Sequence, residues 1–199
     1  MFLVSYYLSI REVGLYALSV VIAELLWYIP NSISITLFPK VSAKDRSSAN
    51  EFTRRVSRAL ITIMLIAGSI ICLIAPVLIR IFYGEQFTES VIPLRILLPG
   101  IIAFGMVKIL TGHLHGRGKP QYGSIVTVCS LLLTILFDLL LIPRFGIIGA
   151  ALATTFAYLF SLILTLFFFI NMTGLSLKEI LIPDFNVVYF VVQRILRIK

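Results

Sequence analysis

Long apolar runs broken by short polar stretches dominate the chain. A membrane-crossing helix needs about 20 mostly apolar residues. Five stretches meet that requirement: Val13–Phe38, Ala59–Ile79, Val91–Thr111, Tyr122–Ile142 and Ile147–Ile170. Two further apolar stretches are too short. Phe2–Ile10 has the length of half a span and reads as the tail of one whose beginning is missing. Phe185–Lys199 is apolar first and basic later, which suits either an amphipathic anchor lying in the membrane interface or the stub of another span. The turns between spans are predicted at "GEQF" (Gly84–Phe87), the glycine-rich "GHLHGRGKPQ" (Gly112–Gln121) and "PRFG" (Pro143–Gly146). In "SAKDRSSANEF", Ser47 and Ser48 precede the expected start of a helix. The expected fold is therefore an all-α integral membrane protein. It has five full spans, a partial N-terminal span and a basic C-terminal tail.

Composition agrees. Of 199 residues, 59% are hydrophobic and only 13% charged, and the mean hydropathy is +1.04. Soluble domains carry about 25% charged residues. The apolar runs are continuous rather than alternating, which excludes a β-barrel reading. The net charge of +8 would point to nucleic acid in a soluble protein. In a membrane protein it reports loops that collect Lys and Arg on the cytoplasmic side, so no nucleic-acid partner is expected. Lys40, Lys44, Arg46, Arg54, Arg55, Arg58, Lys108, Arg117, Lys119, Lys178, Arg194, Arg197 and Lys199 fall on one side of the predicted map. Arg11, Arg80, Arg95 and Arg144 fall on the other. This asymmetry places the C-terminus in the cytoplasm, with membrane lipids as partners.

The polar residues inside the spans are the candidates for chemistry. A carboxylate at mid-span costs about 2.5–3.5 kcal/mol on insertion scales, so Glu24 needs a reason. Trp27, Tyr28 and Asn31 follow it by three, four and seven residues and share its helix face. Pro30 opens the backbone beside them, which a membrane tolerates where protein or a cavity re-satisfies the freed groups. A second stripe, Ser124, Thr127, Ser130, Thr134 and Asp138, lies on one side of the fourth span. It either lines a lumen or joins helices by hydrogen bonds. Asp138 is expected to pair with Arg144 across the turn. Lys108 and Arg95 are the basic residues within spans. They serve either an anionic substrate or snorkel to the interface. Gly149, Ala153, Ala157 and Ser161 recur every four residues and form a ridge for close helix packing. Cys72 and Cys129 lie in apolar runs and read as packing residues. His113 and His115 lack the further ligands of a metal site. No phosphate-binding, nucleophile-elbow or dinucleotide motif is present, so neither an enzyme nor a cofactor is expected.

The run "VGLYALSVVIAELLWYIPNSISITLFPKVS" resembles the eighth span of polysaccharide flippases of the Wzx type. "LIRIFYGEQFTESVIPLRILLPG" is similar to the turn that follows it there. "GRGKPQYGSI" and "LLIPRFGIIGAALATTFAYL" resemble the last two span junctions. The resemblance covers about Ser5 to Gly174 and implies the multidrug/oligosaccharidyl-lipid/polysaccharide exporter superfamily. Its members have two bundles of six spans around a central cavity.

By that resemblance, residues 1–174 form the C-terminal bundle, with the N-terminal bundle absent, and 175–199 form a cytoplasmic tail. The implied function is flipping undecaprenyl-diphosphate-linked oligosaccharide units across the membrane for surface polysaccharide. A lipid-linked oligosaccharide and an N-terminal six-span half are the implied partners. A truncated or non-autonomous chain is the corollary. Substrate contacts are expected at Glu24, Trp27, Tyr28, Asn31, Lys108, Ser130, Thr134 and Asp138. The alternatives are a drug or lipid exporter of the same superfamily and a non-transporting membrane scaffold.

Overall fold

The computed structural model describes residues 2–183. The expected tail, Phe185–Lys199, lies outside them. All regular elements among the described residues are helical: α1 (Phe2–Tyr7), α2 (Ile10–Glu24), α3 (Tyr28–Ser42), α4 (Arg46–Tyr83), α5 (Val91–Gly116), α6 (Pro120–Thr173) and α7 (Leu177–Leu181). Short 3₁₀ turns join α2 to α3 (Leu25–Trp27) and lead into α5 (Glu85–Ser90). Four long helical stretches are apolar enough to cross a membrane: Ile10–Ser42, Arg46–Tyr83, Glu85–Gly116 and Pro120–Thr173.

The expected spans fall inside these stretches, with three refinements. First, α4 begins at Arg46, capped by the Asp45 carboxylate on the Ser48 amide at 3.1 Å, so the two serines lie in its first turn. Its 38 residues rise about 57 Å at 1.5 Å per residue, which is longer than a bilayer's hydrocarbon core. Second, the predicted glycine-rich loop is mostly helix: α5 runs to Gly116, and Arg117–Lys119 alone connect it to α6. Third, α6 carries two expected spans. Gly146 has φ 57° and ψ −135°, a conformation that side chains with a Cβ resist, and the chain reverses there. The arms, 120–145 and 147–173, run antiparallel. Phe137 meets Phe156 at 5.9 Å between ring centroids, and Tyr122 stacks on Phe168 at 4.6 Å near the far end.

The small-residue ridge closes this hairpin. Gly149, Ala153, Ala157 and Ser161 are all buried. A Cβ on Gly149 would lie 2.2 Å from the Leu141 carbonyl oxygen. The same device joins α5 to α6. A Cβ on Gly100 would come within 2.8 Å of the Thr155 Cα, and the Thr155 hydroxyl donates to the Ile96 carbonyl at 2.7 Å.

Apolar solvent leaves no water for an orphaned carbonyl, so each helix defect needs a local partner. Pro76 lies inside α4 and has no N–H to give the carbonyl of Cys72 four residues earlier. The Arg95 guanidinium of α5 donates to that carbonyl at 3.2 Å. Arg95 therefore repairs the helix break. This use was not among those expected from the sequence.

The charged ends sort as expected. Arg11 pairs with Glu89 at 3.0 Å, and Arg80 pairs with Glu85, at one end of the bundle. At the other end, α4 grips the termini of α6 and α7. Arg46 donates to the Met172 carbonyl (3.1 Å), Asn50 to that of Thr173 (3.3 Å) and Arg58 to that of Ile182 (3.0 Å). Arg54 lies 3.9 Å from Glu179. Arg117 joins the same end by donating to the Lys44 carbonyl at 3.1 Å.

Two measurements check this packing. Gly100→Ala lowers stability in detergent by about 1–3 kcal/mol through overpacking against the α6 backbone. Gly14→Ala, where a Cβ meets open space, is neutral or stabilising by up to about 1 kcal/mol. In a double-mutant cycle, Arg95→Ala costs about 1–3 kcal/mol in the parent but little once Pro76→Ala has restored the helix N–H. Equal costs in both backgrounds would show that Arg95 has no part in the repair.

Candidate functional site

The site is built on the junction of α2 and α3. Pro30 follows this junction, and its ring and missing N–H disfavour a regular turn against residue 26. The chain answers with the 3₁₀ turn Leu25–Trp27, so the break falls one turn before the proline rather than at it. Glu24, Trp27, Tyr28 and Asn31 keep a common face across this turn and line one open cavity of about 330 Å³. Tyr28 is 72% exposed there, while the neighbouring Leu26 is 4% exposed on the core side.

Glycines bring α5 against this face. A Cβ on Gly105 would lie 3.0 Å from Met64 and 3.5 Å from Pro30, and one on Gly112 would lie 2.9 Å from the Ser34 hydroxyl. A Cβ on Gly116 would meet the Phe38 carbonyl oxygen at 3.1 Å. These glycines are spaced by seven and four residues and make one flat stripe facing α3. The Ser34 hydroxyl donates to the Lys108 carbonyl at 3.2 Å across the contact. The sequence reading missed this stripe, although its Gly-x6-Gly-x3-Gly spacing is visible in the chain.

Close approach delivers Lys108 to the α3 face. Its ammonium donates to the Asn31 Oδ1 at 2.8 Å and sits 4.1 Å from the centre of the Trp27 ring. A cation at that distance over an indole is in the strongest range for cation–π attraction. Phe104 and Tyr158 complete an aromatic cluster. Phe104 stacks on Tyr158 at 4.5 Å, and Trp27 packs on both, at 5.5 Å and 5.9 Å. The indole Nε1 of Trp27 is buried and has no hydrogen-bond partner among the described residues.

Glu24 borders a second, smaller cavity of about 190 Å³, shared with Tyr16, Thr154 and Tyr158. The Tyr16 hydroxyl lies 3.2 Å from that of Thr154 and 3.4 Å from the Ala150 carbonyl. On the other side, Lys108 lines a cavity of about 520 Å³ with Thr111, His115, Ser124 and Thr127. A fourth space, of about 500 Å³, joins Asn31 and Ser34 to Lys108, Thr111 and His115.

The structure thus brings Glu24, Trp27, Tyr28, Asn31 and Lys108 together and leaves the rest of the expected set apart. Thr134 turns its hydroxyl back to the carbonyl of Ser130 in its own helix, at 2.9 Å, and Ser130 is buried. Asp138 lies farther along the hairpin arm, and no ion pair joins it to Arg144 among the described residues. The polar stripe of the fourth span is therefore divided: Ser124 and Thr127 face the cavity beside Lys108, whereas the rest do not. The two histidines also separate. His113 is buried, with its Nδ1 2.7 Å from the Thr53 hydroxyl, while His115 is exposed and lines the cavity. No group of three or more His, Cys, Asp or Glu with metal-holding geometry occurs among the described residues.

Long apolar helices with a polar, aromatic and cationic cluster on an open face make this a multi-pass membrane protein. The family model for lipid II flippase MurJ matches residues 1–196, and the chain belongs to that family. It is 24% identical over 160 residues to the probable low-salt glycan biosynthesis flippase Agl15 of Haloferax volcanii, covering 78% of this chain and 34% of that protein. It is 27% identical over 148 residues to the capsular polysaccharide biosynthesis protein CapF of Staphylococcus aureus, covering 70% of this chain and 36% of that one. An uncharacterized membrane protein of Methanocaldococcus jannaschii, MJ1068, is 26% identical over 149 residues, covering 73% and 29%. The chain spans about a third of the length of these relatives. No solved structure matches it. The flippase resemblance drawn from the span junctions is thus upheld.

Cysteine labelling in membranes checks the face. In a background lacking Cys72 and Cys129, a water-soluble maleimide labels a cysteine at Tyr28 or Asn31 at least about tenfold faster than one at Leu26. Comparable rates would place Tyr28 and Asn31 against lipid or protein rather than water.

Proposed function

We propose that this chain supplies one wall of a cavity that passes a lipid-linked oligosaccharide from the inner to the outer leaflet of the cytoplasmic membrane. The carrier lipid is an undecaprenyl diphosphate. The observation that carries the reading is the Lys108 ammonium held between the Asn31 amide and the Trp27 ring on an open, membrane-embedded face. A cation suits a diphosphate, and aromatic and amide groups suit sugar rings and hydroxyls. Glu24 and Tyr28 border the same space and complete the proposed contacts. Ser130, Thr134 and Asp138, on the hairpin arm, line the route farther from this centre.

The proposed topology has five crossings, with the two arms of α6 counted separately. The end bearing Lys40–Arg58 and α7 faces the cytoplasm. The opposite wall is a six-span bundle facing Glu24, Tyr28 and Asn31, and residues 1–174 act as the C-terminal bundle. Rocking of two such bundles exposes the cavity to each side in turn. The tail, 175–199, is cytoplasmic.

One observation favours a second reading, an ion-coupled exporter of drugs or lipids. Glu24 borders the cavity that holds the Tyr16, Thr154 and Tyr158 hydroxyl groups, a setting suited to a proton or sodium ion. Export of surface glycan in a flippase-deficient strain separates the two. Co-expressed with an N-terminal bundle, the chain restores export, and Lys108→Met reduces it about tenfold or more. Failure of the pair to restore export, while an intact flippase succeeds, removes the reading. Glu24→Gln abolishing ion-driven uptake into vesicles would favour the exporter.

A further inference from the structure

The Lys108 cluster carries one further consequence, which rests on the transport reading of the same site. The ammonium covers the Trp27 face at 4.1 Å and spends a hydrogen bond on the Asn31 carbonyl oxygen at 2.8 Å. Both groups that would receive a sugar are therefore occupied by the chain's own lysine. Lys108 also lines the two larger cavities beside it, of about 520 and 500 Å³, with Thr111 and His115. Asn31 lines both the Trp27 cavity and the space of about 500 Å³, so the two regions meet at this residue. A lysine stem of four carbons with rotatable bonds can swing from one to the other.

We propose that Lys108 is an internal ligand, displaced in exchange: a diphosphate entering beside Thr111 and His115 draws the ammonium off Trp27 and thereby uncovers a stacking platform for the attached sugar. Anion capture and sugar recognition are then ordered, anion first. The preferred ligand is a diphosphate joined directly to a sugar ring, and the sugar alone binds poorly. Neutral sugars are rejected because they cannot compete with the ammonium for the indole. The buried Nε1–H of Trp27, unpartnered among the described residues, remains a spare donor beside the exposed ring.

Trp27 is the sole tryptophan in the sequence, so intrinsic emission reports on this ring alone. The full chain in nanodiscs is titrated with inorganic pyrophosphate at constant ionic strength, then with N-acetylglucosamine. The expected result is a saturable emission change with pyrophosphate and none with the sugar alone. Sugar binding becomes at least about tenfold tighter once pyrophosphate is present. Lys108→Met loses the pyrophosphate response and responds to sugar without it, whereas Lys108→Arg keeps both steps. Asn31→Ala, which frees one restraint on the ammonium, tightens pyrophosphate binding about threefold and serves if Lys108→Met fails to fold.

Sugar binding that is indifferent to pyrophosphate, or an unaltered pyrophosphate response in Lys108→Met, overturns the exchange. So does weaker pyrophosphate binding in Asn31→Ala. A parallel titration with undecaprenyl diphosphate dissolved in the nanodisc identifies the source. A response there assigns the diphosphate to lipid, and a response to the aqueous anion alone assigns it to a soluble molecule; the exchange stands in both. Export lost in Lys108→Met with unmoved Trp27 emission leaves the transport reading and ends the exchange. Emission that moves as expected without export does the reverse.

Discussion

Every backbone donor and acceptor buried in a bilayer has to be satisfied by protein, and the rest of this structure follows from that constraint. It makes helices the only economical elements. It also fixes what happens where a helix is broken. Pro76 frees the Cys72 carbonyl, and a guanidinium from the next helix takes it up. Pro30 displaces the break into a 3₁₀ turn one turn upstream. Gly146 reverses the chain, and its flanking arms close on the buried ridge that includes Gly149. The polar side chains within the spans are therefore of two kinds. Some repair the backbone, as Arg95 does. Others, such as Lys108, bond side chains across helices instead.

Glycine spacing is what converts helix packing into a site. Without a Cβ at positions 105, 112 and 116, α5 can settle on α3 closely enough for Lys108 to reach across it. Van der Waals packing and interhelical hydrogen bonds drive helix association in lipid, because lipid tails are as apolar as the side chains they would replace. The Ser34 bond to the Lys108 carbonyl fixes the relative height of the two helices at the position where the ammonium turns outward. An extra methyl group on the stripe would therefore act on Lys108 without touching it.

Much of this was legible in the chain. Apolar run length located the spans, since that signal depends only on composition and the thickness of lipid. The three- and four-residue spacing from Glu24 correctly grouped Trp27, Tyr28 and Asn31, because helix periodicity survives the single 3₁₀ turn. The arrival of Lys108 at that group was not legible. It depends on contact between helices 77 residues apart in sequence. The polar stripe left two readings open for a related reason. Ser and Thr can satisfy their hydroxyls on their own helix, as Thr134 does, so a shared face does not establish a shared lining. The Asp138–Arg144 pairing failed because both residues lie on the first arm, ahead of the break at Gly146, and a spacing of six puts them on different sides of one helix.

The two sides of the α2–α3 junction differ in a way that bears on function. Toward α5 and α6, Trp27 has Phe104, Tyr158 and Lys108 for company, and Leu26 is sealed in the core. On the other side, Tyr28 and Asn31 project from the bundle. A pure packing role would explain the first side and would favour apolar residues on the second, since lipid rewards them and penalises an amide or a carboxylate. A pure surface role would leave the Lys108 bridge without purpose, because a snorkelling lysine extends toward the interface rather than across a ring toward an amide. A wall of a wet cavity accounts for both: ordered polar groups need a rigid aromatic backing, and they need water or substrate in front. That combination, rather than any single residue, is what joins the geometry to the flippase family.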